Sequence, residues 1–72
     1  MDANMIKGRI MSVGLTQEKV AVMVGMSGNS LSRKLTGKRD FTLSEVNAIC
    51  KALDIADPTP YFFNAKIPNT QR

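Results

Sequence analysis

Residues 16–38 are TQEKVAVMVGMSGNSLSRKLTGK, a stretch in which two short amphipathic patterns lie on either side of a glycine. Apolar residues recur at helical spacing in both halves: Val20, Ala21 and Val24 in the first, Leu31 and Leu35 in the second. Residues three or four positions apart lie on the same face of a helix. Two short helices are therefore expected, each burying one face against a common core.

The residues between these patterns are typical of a tight turn. Gly25 lies at the break, where a residue just past a helix end commonly adopts a left-handed conformation that costs glycine little. Ser27 can cap the second helix, because its side-chain oxygen can accept from a free amide of the first turn. Gly37 supplies a matching stop after Leu35. The stretch therefore predicts a helix-turn-helix whose second helix has the size to enter a DNA major groove.

The composition restricts the class of protein. With 72 residues, 43% of them hydrophobic, the chain is expected to form one small domain. The longest uninterrupted apolar run, residues 20–24, is far shorter than the roughly 20 residues of a membrane span, and the amino terminus lacks a basic and then apolar signal segment. A soluble, cytoplasmic protein is therefore expected.

The residue types present argue against catalytic and metal sites. The chain has one cysteine, Cys50, and no histidine, so an internal disulfide, a histidine acid-base site and the usual zinc ligand sets are excluded. The acidic residues are scattered, and no nucleophile has a visible base. We therefore expect no enzyme, no metal and no cofactor, with Cys50 as a small core residue.

Positive charge is concentrated near the second helix of the motif. The formal net charge is +4, and residues 27–39 contain four basic residues and no acidic one: Arg33, Lys34, Lys38 and Arg39. Such a run is typical of a surface that faces phosphates, although a solvated basic face would have the same composition. Together with the helix-turn-helix spacing, it favours a nucleic-acid partner.

The flanking residues predict supporting helices. Ile6, Ile10 and Val13 share one face of a helix near residues 4–13. Thr42 and Glu45 form a capping box ahead of a helix whose apolar face comprises Leu43, Val46, Ile49, Cys50 and Leu53. Pro58 and Pro60 then prevent a continuing helix, and the aromatic run of residues 61–63 either closes the core or joins two subunits. We expect residues 1–63 to form the helix-turn-helix domain and residues 64–72 a flexible tail.

Over about residues 4–57 the chain resembles the Cro and lambda-repressor type of phage helix-turn-helix domain. The matching residues are Gly14, Leu15, Thr16, Gln17, Ala21, Val24, Gly25, Ser27, Ser30, Leu31, Gly37, Lys38, Ile49, Ala52 and Leu53. The resemblance implies an all-α fold, a compact five-helix lambda-repressor-like DNA-binding domain with the helix-turn-helix at helices two and three. It also implies a dimer that binds a near-palindromic, double-stranded DNA operator.

The resemblance also implies roles for individual residues. Gln17 matches the family's phosphate-binding glutamine, and Lys38 and Arg39 match a loop that touches the DNA backbone. Ser27, Gly28, Asn29 and Arg33 match the family's base-reading positions. Ser32 flanks the outward face of the second motif helix, which carries Asn29 and Arg33. Asn29 could contact adenine and Arg33 guanine.

Two positions depart from the family pattern. Gly28 has no side chain to present to a base, which weakens direct readout. Ile10 and Leu35 stand where several relatives place a buried arginine and a buried glutamate, so an apolar pair is expected there, without the cost of burying two charges.

Two functions remain open from the sequence. The first is a Cro-like transcriptional regulator that binds operator DNA as a dimer. The alternative is a modulator or antirepressor of repression that binds a partner repressor protein through an apolar surface, with Met26, Tyr61, Phe62 and Phe63 as the candidate interface residues. Gly28 motivates the alternative, because a recognition helix without that side chain reads bases poorly.

Overall fold

The computed structural model describes residues 1–63, which form five helical segments and no strand. The α-helices are α1 (Ala3–Ser12), α2 (Gln17–Met23), α3 (Gly28–Leu35) and α4 (Leu43–Leu53), and a π-helical segment follows at Thr59–Phe63. The predicted all-α, five-helix architecture is therefore confirmed, with a single π-helical turn as its fifth element. The predicted tail, residues 64–72, lies outside the described residues. Within residues 1–63, the helices lack the length and apolar character that crossing a membrane requires.

Each α-helix begins at a side chain that caps it. The N-cap residues are Asp2, Thr16, Ser27 and Thr42, and each accepts a hydrogen bond from an amide of the first turn. At α3 the Ser30 amide donates to Ser27 Oγ over 3.0 Å, so the predicted cap is confirmed. At α4 both halves of the predicted capping box are present. Short helices such as these are marginal alone, so caps and packing together hold them.

The core lies where the four helices and the π-helical segment meet. Its buried side chains are Ile6, Ile10, Val20, Ala21, Leu31, Leu35, Val46, Ile49, Leu53 and Phe62. Leu15, Val24, Met26, Phe41, Cys50, Ile55 and Tyr61 pack against it while partly exposed. The apolar faces predicted for α2 and α3 are thus confirmed, and burial raises the pKa of the half-buried Cys50 thiol.

Two predicted core residues are exposed instead. Leu43 was expected to fill the inner face of α4, but it is the first residue of that helix and is 68% exposed. Val13 was assigned to the apolar face of α1, but it lies at the C-cap, after the last helical residue, and is 38% exposed. Both predictions were wrong because the apolar periodicity continued to the very ends of the helices, to the first helical residue at Leu43 and to the C-cap at Val13, where the side chains are not covered by the core.

Arg9 fixes α1 to the end of α4. Its Nε donates to the carbonyl of Leu53 over 2.8 Å, and its Nη2 donates to the carbonyl of Asp54 over 2.9 Å. These carbonyls belong to the last turn of a helix, where the backbone acceptors have no partner within the helix. At its other end α1 is joined to the π-helical segment, because the Asp2 amide donates to the Tyr61 carbonyl over 2.8 Å. These contacts join the two ends of residues 1–63.

Candidate nucleic-acid interface

The turn between α2 and α3 is a Schellman motif. Gly25 adopts the left-handed conformation at φ 77°, as the sequence predicts. The Met26 amide donates to the Ala21 carbonyl over 2.8 Å, and the Gly25 amide donates to the Val22 carbonyl over 3.2 Å. This pair of bonds closes the end of α2 and reverses the chain over a few residues. Backbone bonds of the turn, together with the packing of the buried residues of α2 and α3, therefore fix the start of α3 relative to α2.

The outward side of α3 brings together most of the residues assigned to base reading. Ser27, Gly28, Asn29 and Arg33 are exposed, and Ser32 is half-buried beside them. Leu31 and Leu35 are buried on the opposite side of the helix. Asn29 and Arg33 lie one turn apart, so their amide and guanidinium groups face the same direction away from the core.

Residues assigned to phosphate contacts lie at both ends of this surface. Gln17 is the first residue of α2 and is half-buried. Lys38 and Arg39 follow α3 and are exposed. A second Schellman turn directs that segment, since the Lys38 amide donates to the Arg33 carbonyl over 3.0 Å and Gly37 has φ 84°. The residues assigned to DNA contact therefore lie at the start of α2, on the exposed side of α3 and directly after α3.

Lys34 does not belong to this basic surface. Lys34 is only 8% exposed, and its Nζ lies 2.6 Å from each carboxylate oxygen of Glu45 on α4. Glu45 Oε1 also accepts from the Thr42 amide over 2.8 Å. The Lys34 ammonium, followed by the Thr42 amide, holds the pKa of Glu45 below its usual range. The expectation of four basic residues facing phosphates was therefore wrong for Lys34, which leaves Arg33, Lys38 and Arg39.

The position of Lys34 could have been found from its spacing. It lies three residues after Leu31, so it stands beside that buried side chain on the inner side of α3. A lysine on that face needs an anionic partner, and Glu45 is the acid that α4 supplies. Ile10 and Leu35, the predicted apolar pair, are both buried. The ion pair between Lys34 and Glu45 joins α3 to α4 instead.

Glu18 is a residue of this surface that the sequence reasoning missed. Its Cγ lies 3.9 Å from the point where a Cβ on Gly28 would stand. The residue is exposed in the first turn of α2. The signal was available in part, because Glu18 is adjacent to Gln17, but only the packing of α2 against α3 places it over Gly28.

The candidate interface residues divide between the core and the surface. Phe62 is buried and packs edge-to-face on Phe41, with ring centroids 5.4 Å apart. Tyr61 and Met26 are half-buried and pack against the core. Phe63 is 51% exposed and lines a shallow groove together with Met1 and Phe41. Of the four, only Phe63 presents most of a large apolar side chain to solvent.

Charged and polar side chains on the described residues form no metal centre. Among residues 1–63 there is no group of three His, Cys, Asp or Glu residues that could hold a metal ion. The chemistry available on the α3 surface is therefore hydrogen bonding by amides and hydroxyls, and charge from Arg33, Lys38, Arg39 and Glu18.

Comparison with known families agrees with this geometry. The family model that matches is described as a helix-turn-helix domain, and it covers residues 8–59, which include all four α-helices apart from the first turns of α1. No curated protein and no solved structure matches the chain. Because the match covers well over half of the 72 residues, the chain belongs to the helix-turn-helix domain family.

Proposed function

We propose that the protein is a transcriptional regulator of the phage type, which binds double-stranded operator DNA by placing α3 in the major groove. It acts in the cytoplasm of a bacterial host cell, needs no metal or cofactor and catalyses no reaction. The observation that carries this proposal is the exposed surface of α3, where Asn29 and Arg33 stand one turn apart, opposite Leu31 and Leu35.

The chemistry of this surface fits the edges of base pairs. An asparagine amide can donate to and accept from adenine, and a guanidinium can donate twice to guanine. Lys38 and Arg39 stand beside them as cations without side-chain partners among residues 1–63. Cations at such positions contact phosphates and fix the register of the protein on the duplex.

We also propose that the regulator binds as a homodimer through Phe63. This side chain is half-exposed next to Met1, which is 43% exposed, so the two form an apolar edge. Burying one phenylalanine side chain contributes roughly 1.5–3 kcal/mol, and a twofold contact would bury two. The alternative, binding to a partner repressor, has no comparison in its favour, and three residues that it invoked, Met26, Tyr61 and Phe62, pack against or within the core.

Salt dependence of DNA binding tests the main proposal. If a dimer neutralises about six to eight phosphates, a plot of log K against log salt should have a slope of roughly −5 to −7. Fluorescence anisotropy on duplexes from the flanking DNA would measure it. A folded protein that binds no duplex at low salt would refute the regulator and revive binding to a partner repressor.

Two alanine variants separate base reading from phosphate contact. Arg33→Ala should change the preference among duplex sequences, with a loss of about 1–3 kcal/mol on the preferred one. Lys38→Ala should weaken all duplexes alike and reduce the salt slope by about 1. Lys51→Ala removes an exposed lysine from α4 and serves as the matched control for charge. If both variants lose affinity equally for all duplex sequences, Arg33 contacts only phosphates.

A further inference from the structure

Gly28 and Glu18 together form a feature that a typical recognition helix lacks. Gly28 is the first residue of α3, and its exposed backbone leaves a gap where a base-reading side chain would emerge. The nearest atom to a Cβ built there is Glu18 Cγ, at 3.9 Å. The side chain of Glu18 therefore lies in contact distance of the position that a residue-28 side chain would occupy.

The carboxylate of Glu18 has no partner in the described part of the chain. Residues 1–63 give it no ion pair and no side-chain hydrogen bond, and the residue is exposed. The basic groups of this surface, Arg33, Lys38 and Arg39, belong to the later part of α3 and the segment after it. The first turn of α2 favours a carboxylate in the free protein, but phosphates of an approaching duplex repel it, so in the complex it needs a hydrogen-bond donor from the DNA.

The major groove offers few donors to a carboxylate. Its exposed amino groups are cytosine N4 and adenine N6, and adenine places the acceptor N7 next to its amino group. Two carboxylate oxygens would meet one donor and one acceptor on adenine, which is unfavourable. Cytosine presents its amino group without an adjacent ring acceptor, so it is the base that suits Glu18.

We propose that Glu18 is a specificity-determining residue, which extends through the gap at Gly28 and accepts a hydrogen bond from the N4 amino group of a cytosine in each half-site. This inference rests on the proposed function. It assigns to α2 a base contact at the position where α3 has no side chain. Gly28 contributes by leaving the space open.

Selection from a randomised duplex library tests this assignment with the full chain. The native protein should select a motif with cytosine at one position in each half-site, and Glu18→Ala should reduce that cytosine preference about tenfold while the rest of the motif persists. Glu18→Gln should move the preference at the same position towards adenine, because an amide offers both a donor and an acceptor. Asp40→Ala removes an exposed carboxylate after α3 and controls for the change of charge. Thermal melts show whether each variant is folded.

The outcomes separate the two proposals. If the native protein selects no motif and binds no duplex, the proposed function fails, and this inference fails with it. If it selects a motif that both Glu18 variants retain, while they bind every duplex more tightly, Glu18 acts only as a repulsive charge and this inference alone is overturned. Gly28→Gln gives a further check, since the backbone there accepts a side chain. The glutamine amide, which pairs with adenine, should compete with Glu18 and shift the preference at the same position towards adenine.

Discussion

The two connections that flank α3 are built in different ways. Residues 24–27 join α2 to α3 through a glycine turn that is held by bonds between groups close in sequence: the backbone bonds of Gly25 and Met26, and the Ser27 cap. Residues 36–42 join α3 to α4 through a similar turn at Gly37, but contacts between distant side chains hold this segment as well: Lys34 bonds to Glu45, and Phe62 packs on Phe41. The first connection fixes where α3 begins. The second fixes where α3 ends and where Lys38 and Arg39 stand.

The difference indicates how each end of the surface can fail. The turn before α3 depends on one backbone conformation, so a single strained residue there affects the start of the helix. The segment after α3 depends in addition on side-chain contacts between distant residues. The largest of these is the packing of the buried Phe62 ring, so its loss should cost more than strain at one turn residue. Four changes probe this contrast, beginning with the one that should cost most.

Phe62→Ser should have the largest effect, because it removes the ring that holds Phe41 and leaves a cavity in a small core. Truncating a buried phenylalanine costs about 3–5 kcal/mol, which is comparable to the whole stability of a domain of this size. We expect the variant to be largely unfolded at 25 °C by circular dichroism. Phe63→Ser changes the adjacent, half-exposed ring and should leave the stability of the dilute monomer within about 0.5 kcal/mol. Equal losses in both variants would show that Phe63 also belongs to the core.

Gly25→Val should destabilise the protein by about 1–3 kcal/mol, because a β-branched residue is strained at φ 77°. A loss of 1 kcal/mol lowers the melting temperature by about 4–8 °C in a domain of this length. Gly8→Ala is the control, because Gly8 lies inside α1 and an added Cβ meets nothing within 4 Å. It should stabilise by about 0.5–1 kcal/mol. A Gly25→Val variant that melts like the native protein would mean that the turn tolerates another conformation.

Glu45→Ala and Lys34→Met should have unequal effects, although they break the same ion pair. Removing Glu45 leaves the Lys34 ammonium buried without its acceptor and also deprives the Thr42 amide of its partner. The expected cost is about 1–2 kcal/mol, limited by the partial exposure of the carboxylate. Lys34→Met leaves the capping box intact and should cost less than about 1 kcal/mol. Urea unfolding of both variants and the double variant measures the coupling. A larger loss for Lys34→Met would contradict the asymmetry.

The pH dependence of stability should be the smallest effect. The pKa of Glu45 is held below its ordinary value of 4.5, so the folded state favours the carboxylate. Its contribution is complete above that value and is lost as the pH falls through the lower, folded-state pKa. Urea midpoints should therefore decline below about pH 4.5, and less so in Glu45→Gln. The Thr59 amide lowers the pKa of Asp57, so this carboxyl also makes stability fall at low pH. The Asp57→Asn variant measures its contribution separately. Identical pH profiles for the native protein and Glu45→Gln would exclude the ion pair as a source of the pH-dependent stability.

Features that depend on neighbouring residues were predictable from the sequence. The caps at Ser27 and Thr42 and the glycine turns at Gly25 and Gly37 were identified from residues at most four positions apart. The buried faces of α2 and α3 followed from helical spacing alone. Helix boundaries were less predictable, because Val13 and Leu43 continue the apolar pattern just outside or at the edge of the helices that they were assigned to.

The four α-helices, the caps at Ser27 and Thr42, the turn before α3 and the helix-turn-helix class are predictable from the sequence, because each is encoded in local backbone preference and periodicity. Contacts between distant residues are visible only in the folded chain. There Lys34 points inward to Glu45, Arg9 bonds to the end of α4, Phe62 is buried while Phe63 is exposed, and Glu18 lies beside Gly28. A charged or aromatic side chain has several possible partners along the chain, and only the packing of the helices selects one of them.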